Sequence, residues 1–175
     1  LFNYLPQKCY LLELSNQDPL FCSNFFDCIP PVIKQLHVKT INIELSSNFL
    51  DYWSSRSKNL RSNMRRYLNR IKKENKTIRV DEITRKNDIN EALRRYGDLE
   101  SSGWKKEGGT AIHITNPQGR FYFELLSGFA ETKNLIIYEL YLDSALVASR
   151  ICILDNNMLI ILKTTFDEAC AKFAP

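Results

Sequence analysis

A mixed α/β domain, with a largely antiparallel sheet flanked by helices, is the fold class this sequence predicts. Three observations carry it. The last third holds three apolar runs, "NLIIYELYL", "ALVASRICIL" and "MLIILKTTF", separated by "DS" and "DNN". Such runs read as consecutive antiparallel strands joined by tight hairpins. Ahead of them lie stretches whose apolar residues recur at helical spacing. Finally, 175 residues with 44% hydrophobic and 25% charged content suit one domain, or one domain plus part of another, with a full core.

Taken in order, "CYLLEL" reads as a short buried strand, and the adjacent prolines of "CIPPVI" remove amide donors and break any regular element. Residues 37–45 alternate Lys39, Ile41, Ile43 and Leu45 with Val38, Thr40, Asn42 and Glu44, which predicts a half-buried strand. Residues 1–44 are expected to be a strand-and-loop segment ending a preceding half, and 45–175 the main domain. "SSNFLDYWSS" starts a short helix with Ser46 or Ser47 as N-cap. A longer helix follows Ser57, docked by the stripe of Leu60, Met64, Tyr67, Leu68 and Ile71. Residues 76–83 read as a strand. Asp88 caps a helix through "INEALRRYGDLESSGW", buried by Ile89, Ala92, Leu93, Tyr96 and Leu99. "KKEGGTAIHITNPQG" is a loop punctuated by Gly108, Gly109 and Asn116-Pro117, and a further helix runs from about Gly119 to Glu131.

Charge is concentrated in one place. Residues 56–76 carry nine Lys or Arg against Glu74 alone, while the rest of the chain carries 15 basic and 19 acidic residues. Clustered cations are the footprint that phosphate demands. No aromatic platform lies among them, however, and a solvated helix face accounts for the pattern without a ligand. Nucleic acid is therefore the lesser expectation. The five cysteines, Cys9, Cys22, Cys28, Cys152 and Cys170, are odd in number and lack a C-x-x-C pair. They suit reduced thiols in a cytoplasmic protein rather than a disulfide framework. His37 and His113 stand alone, without zinc-site spacing, so no metal is expected. No apolar run approaches the ~20 residues of a membrane span. The first residues lack a signal pattern, so the start is expected to be internal to a longer chain.

Phosphate-loop, dinucleotide and nucleophile-elbow motifs are absent. Three other features invite chemistry, each with a plainer reading. Trp104, beside Lys105 and the glycines, lines a cleft or simply packs. Arg120, Phe121 and Tyr122 lie near a helix start, either as a site or as core aromatics plus a surface arginine. Lys163 ends a hydrophobic strand just before Asp167, Glu168 and Lys172; a salt bridge is the ordinary outcome, but strand ends are also where α/β proteins place ligands.

Five stretches in order, "YWSSRSKNLRSNMRRYLNRIKKE", "YGDLESSGWKKEGGTAI", "FYFELL", "YELYLDSALVASRICIL" and "LKTTFDEACAKFAP", together resemble one family. It is the GNAT-fold acetyltransferase domain of the type associated with bacterial cellulose biosynthesis, related to Fem-type peptidoglycan aminoacyltransferases. The resemblance covers about residues 45–175. It implies an N- or O-acyltransferase that moves an acyl group from acetyl-CoA or another acyl-CoA to a small-molecule, glycan or peptide acceptor. "MLIILKTTF" is then the strand beside the thioester. Lys163 and Asp167 take the catalytic positions, with Trp104, Lys105 and Tyr122 on the acceptor side. Lys172, Phe173, Ala174 and Pro175 enter the phosphate-binding turn. In the family a glycine, a long helix and more strands follow the position of Pro175, so the chain is expected to be incomplete at its C-terminus, with an exposed sheet edge. The alternatives are a non-enzymatic polyanion-binding module built on the 56–76 helix, and aminoacyl transfer from tRNA.

Overall fold

The computed structural model describes residue 33 and residues 41–45, 48–102 and 112–175. The chain divides into two compact units, residues 1–54 and 55–175. Helix α1 spans Phe49–Ser55, with all but its last residue in the first unit. Its cap is Asn48, whose Oδ1 accepts the Asp51 amide at 3.0 Å. That corrects the expected cap at Ser46 or Ser47, both outside the described residues; Asn48 sits three residues before the amide that needs an acceptor. Phe49 and Trp53 stack along α1 with centroids 6.0 Å apart. Residues 41–45 form no strand and lie exposed, against expectation. Alternation supplies an apolar face, but a strand also needs a partner to pair with. Residues 37–40 and the "CYLLEL" stretch lie outside the described residues, as do residues 28–32.

The second unit opens with α2, Lys58–Lys73, capped by the Ser57 hydroxyl, which accepts the Leu60 amide at 3.2 Å. Of the predicted stripe, only Ile71 is buried, while Met64 and Tyr67 are half-buried. Leu60 is 42% and Leu68 46% exposed, so the helix docks by its last turn rather than along its length. The reason lies beneath it. The apolar counter-surface is a small cluster of Leu142, Val147 and Phe173, which meets Ile71. A stripe tells which side faces the body; how far the body extends decides how much is covered.

Four strands follow in sequence and in space: β1 Ile78–Ile83, β2 Leu135–Leu142, β3 Ala145–Asp155 and β4 Met158–Phe166, ordered β1-β2-β3-β4 and each antiparallel to the next. The β2–β3 turn leaves Asp143 and Ser144 between the paired Leu142 and Ala145. The β3–β4 turn leaves Asn156 and Asn157, with φ of 45° and 66°. Two consecutive left-handed residues are what a two-residue hairpin demands, and asparagine tolerates them. Asp143 also fastens the start of β1: its Oδ1 accepts the Thr77 amide at 2.9 Å and its Oδ2 meets Lys76 Nζ at 3.0 Å. Those bonds, the Thr77 amide first and Lys76 next, hold its carboxyl below the usual range.

Two helices cover one face of the sheet. A single 3-10 turn, Lys86–Asp88, leads into α3, Ile89–Ser102. Helix α4, Pro117–Glu131, begins two residues before the expected Gly119. Asn116 and Pro117 are its N-cap and first turn rather than loop punctuation: the Asn116 side chain accepts the Gly119 amide at 2.8 Å. Proline suits that place because its missing N–H would be unsatisfied anyway. Ile89, Leu93 and Tyr96 of α3 and Leu126 of α4 pack on Ile137 and Ile151 of the sheet. Each fully buried side chain of this size contributes about 1.5–3 kcal/mol. Between the helices runs the segment 112–114. Gly97 of α3 and Gly119 of α4 both abut its backbone, so closely that an added Cβ would stand 2.2 Å from the Ile112 carbonyl oxygen or 1.9 Å from that of His113.

Candidate active site

Lys163 lies on the helix-covered face. Across the four strands Ile83, Ile137, Ile151 and Lys163 stand opposite one another, so the lysine takes the last place in an isoleucine row. Its ammonium stands 5.9 Å from the ring centroid of Tyr122 on α4. That distance is the outer edge of a cation–π contact. Among the described residues no ion pair joins Lys163 to Asp167 or Glu168, so the expected salt bridge does not form. The strand end explains why: Asp167 turns back on its own backbone. Its Oδ1 accepts the Ala169 amide at 2.9 Å, and its amide donates to the Val147 carbonyl at 2.8 Å.

Behind Tyr122 sits a buried carboxylate. Glu100, on α3, accepts the Ile112 amide at 2.8 Å and is nearly sealed from solvent. Tyr96, one turn earlier, is fully buried, and its hydroxyl has no hydrogen-bond partner among the described residues. Burial first and the Glu100 charge second raise the ionisation of both Tyr96 and Tyr122 above the ordinary tyrosine range. Both phenols therefore stay protonated under physiological conditions, available as donors. Sequence spacing contained a signal for Glu100: it follows Tyr96 by four residues and Leu93 by seven, on the buried stripe.

The raised Tyr96 value has a stability consequence. A group whose folded value lies above its unfolded one stabilises fully below the unfolded value, about 10 for tyrosine, and loses that contribution as pH rises beyond it. Tyr96→Phe is expected to flatten the alkaline limb of stability above about pH 10, and to stabilise by about 1 kcal/mol at neutral pH by removing an unsatisfied buried hydroxyl. Urea midpoints at pH 8 and pH 11 test this; parallel losses in both proteins would refute it.

The next row of the sheet is polar. Asp81, Glu139, Ser149 and Thr165 stand opposite one another, one per strand. Glu139 is only 1% exposed and accepts Arg95 Nε at 2.9 and 3.1 Å and the Tyr141 hydroxyl at 2.8 Å. Arg79 lies 4.2 Å over the Tyr141 ring and pairs with Asp81. Ser149 is buried, with no partner for its hydroxyl among the described residues. Glu139 was visible as the one charged residue at an inward position of "LIIYELYL", in step with Leu135 and Ile137.

Beyond β4 a 3-10 helix, Glu168–Phe173, is anchored by Phe173 in the cluster that receives Ile71. Ala174 is left-handed (φ 51°, ψ 57°), and its amide donates to the Ala171 carbonyl at 3.0 Å. Lys172 meets the Glu74 carboxylate at 2.9 Å and lies 4.7 Å over the Phe173 ring. Pro175 is half-buried. Thus Lys163 and Tyr122 are brought together, Asp167 caps the following turn, and Trp104 and Lys105 lie outside the described residues. Cys152 and Cys170 are free thiols, and no group of metal-ligating side chains occurs among the described residues. Nor does any described helix have the length and apolarity to cross a membrane.

The family profile described as acetyltransferase (GNAT) domain matches residues 58–175. The chain belongs to the GNAT acetyltransferase family. The match begins at the first residue of α2 and takes in every described element of the second unit. The mixed sheet-and-helix architecture agrees with the GNAT fold expected from sequence. No curated protein matches the chain in sequence. Membership makes this an acyltransferase domain, and it places the Lys163–Tyr122 face and the turn after β4 within the GNAT region.

Proposed function

We propose that this domain transfers an acyl group, acetyl in the simplest case, from acyl-CoA to an amine or hydroxyl acceptor in polysaccharide or cell-envelope chemistry. The observation that carries the reading is the GNAT match over residues 58–175. The acceptor lone pair attacks the thioester carbonyl carbon, the carbon–sulfur bond breaks, and the acceptor's proton balances the departing thiolate. In this reading β4 runs beside the thioester. The Lys163 ammonium answers the charge that develops on the carbonyl oxygen, and a preorganised cation there stabilises the transition state more than the substrate. Asp167 fixes the strand end through its cap. Tyr122 faces the acceptor, and residues 172–175 belong to the seat of the CoA pyrophosphate.

Calorimetric titration with acetyl-CoA tests the donor, and it is expected to show saturable binding. Lys163→Met is expected to leave that binding nearly intact while lowering transfer by about 100-fold or more, the loss typical of removing one oxyanion donor. Folded protein that gives no heat with acetyl-CoA would end the acyl-CoA reading. Undiminished transfer by Lys163→Met would remove only the role of the lysine.

A further inference from the structure

The turn after β4 has one nearby cation of its own, and that cation is already engaged. Lys172 Nζ contacts both oxygens of Glu74, at 2.9 and 3.0 Å, so a carboxylate cancels its charge. Beside it stands a different source of charge. Arg70 of α2 donates from Nη1 to the Lys172 carbonyl, which places this flank of the helix against the turn. Arg66 and Lys73 share the flank, because residues spaced i, i+4 and i+7 fall on one ridge. Neither has a carboxylate partner among the described residues, and both are exposed. The ridge carries three full cations. The negative end of the α2 dipole opposes an anion by about half a charge, so the cations win.

We propose that Arg66, Arg70 and Lys73 form the phosphate site for the nucleotide end of acyl-CoA, its 3′-phosphate foremost, beside the turn at 168–173. This inference rests on the acyl-CoA reading above and names the residues that discriminate within it. The 3′-phosphate is a monoester with about −1.5 to −2 charge near neutral pH and three strong acceptor oxygens. Arginine forks match such oxygens in pairs, and lysine supplies a point charge. The opposite flank of α2, with Arg61 and Arg65, faces away from the turn and gives a control of equal charge.

The test titrates three proteins, the wild type, R66Q/K73Q and R61Q/R65Q, with acetyl-CoA and with 3′-dephospho-acetyl-CoA. Glutamine keeps helix propensity at these exposed positions, so folding is retained. Wild type is expected to prefer acetyl-CoA by about tenfold, the worth of one or two charge-assisted phosphate contacts. R66Q/K73Q should bind both ligands alike, and R61Q/R65Q should keep the preference. Persistence of the preference in R66Q/K73Q would overturn the site, as would equal losses in the two double variants, which would mean a diffuse field. A wild type that binds neither ligand would defeat the acyl-CoA reading itself.

Discussion

Gly119→Ala is expected to destabilise the domain by about 3 kcal/mol or more. An alanine Cβ there would stand 1.9 Å from the His113 carbonyl oxygen, 2.3 Å from its carbon and 2.8 Å from the Ile114 amide nitrogen. All three are backbone atoms, so no rotamer change relieves the overlap. The segment cannot retreat cheaply. On its other side Gly97 abuts the Ile112 carbonyl, and the Glu100 carboxylate holds the Ile112 amide. Opposing the clash is the helix propensity of alanine over glycine, about 1 kcal/mol, which is too small to prevail. Gly128 in the same helix isolates that contribution, since a Cβ added there would meet nothing within 4 Å. Gly128→Ala should therefore stabilise by up to about 1 kcal/mol. Thermal midpoints of the two variants should move in opposite directions. A Gly119→Ala protein as stable as wild type would show that segment 112–114 yields.

Arg95→Ala is expected to lower stability by about 3 kcal/mol, because it strands a buried carboxylate. Glu139 is 1% exposed and Arg95 27%, so the arginine also shields it from water. The figure sits at the lower end for a broken buried pair, since part of the arginine is already wet. The Tyr141 hydroxyl still reaches Glu139 and softens the loss without supplying charge. Replacing both partners by leucine should recover most of the deficit, because the pair's attraction is then not missed and its desolvation no longer applies. Chemical denaturation of the single and double variants decides the matter. A single variant within about 0.5 kcal/mol of wild type, the scatter of surface changes, would mean that water replaces the guanidinium.

The hairpins were legible because their signal is local: "DNN" supplies residues that accept left-handed angles, and the flanking runs supply β-branched side chains. The helices were legible from their periodicity and from caps such as Ser57. Leu60 and Leu68 misled because a stripe carries no record of how far its counter-surface reaches. Ile41, Ile43 and Leu45 misled because alternation does not provide a neighbouring strand. Within the candidate site, Lys163 and Tyr122 could be named from sequence, but their meeting depends on β4 and α4 sharing a face. Asp167 could be named too, yet its engagement as a cap follows from the local turn. Glu100 and Glu139 were overlooked because inward charges look like errors in an apolar pattern until Ile112, Arg95 and Tyr141 arrive from elsewhere in the chain.

The sheet's spatial order repeats its order in the sequence. Strands β2, β3 and β4 are joined by turns of two residues, so the entropy lost in closing them is small. Strand β1 must wait for α3 and α4, which lie between it and β2 in the chain. Contacts that close short loops form fastest. The three-stranded meander should thus assemble as an early cooperative unit, with β1 added when the two helices settle over it. Amide exchange should then be slowest in β2 and β3, and β1 should open first, without global unfolding.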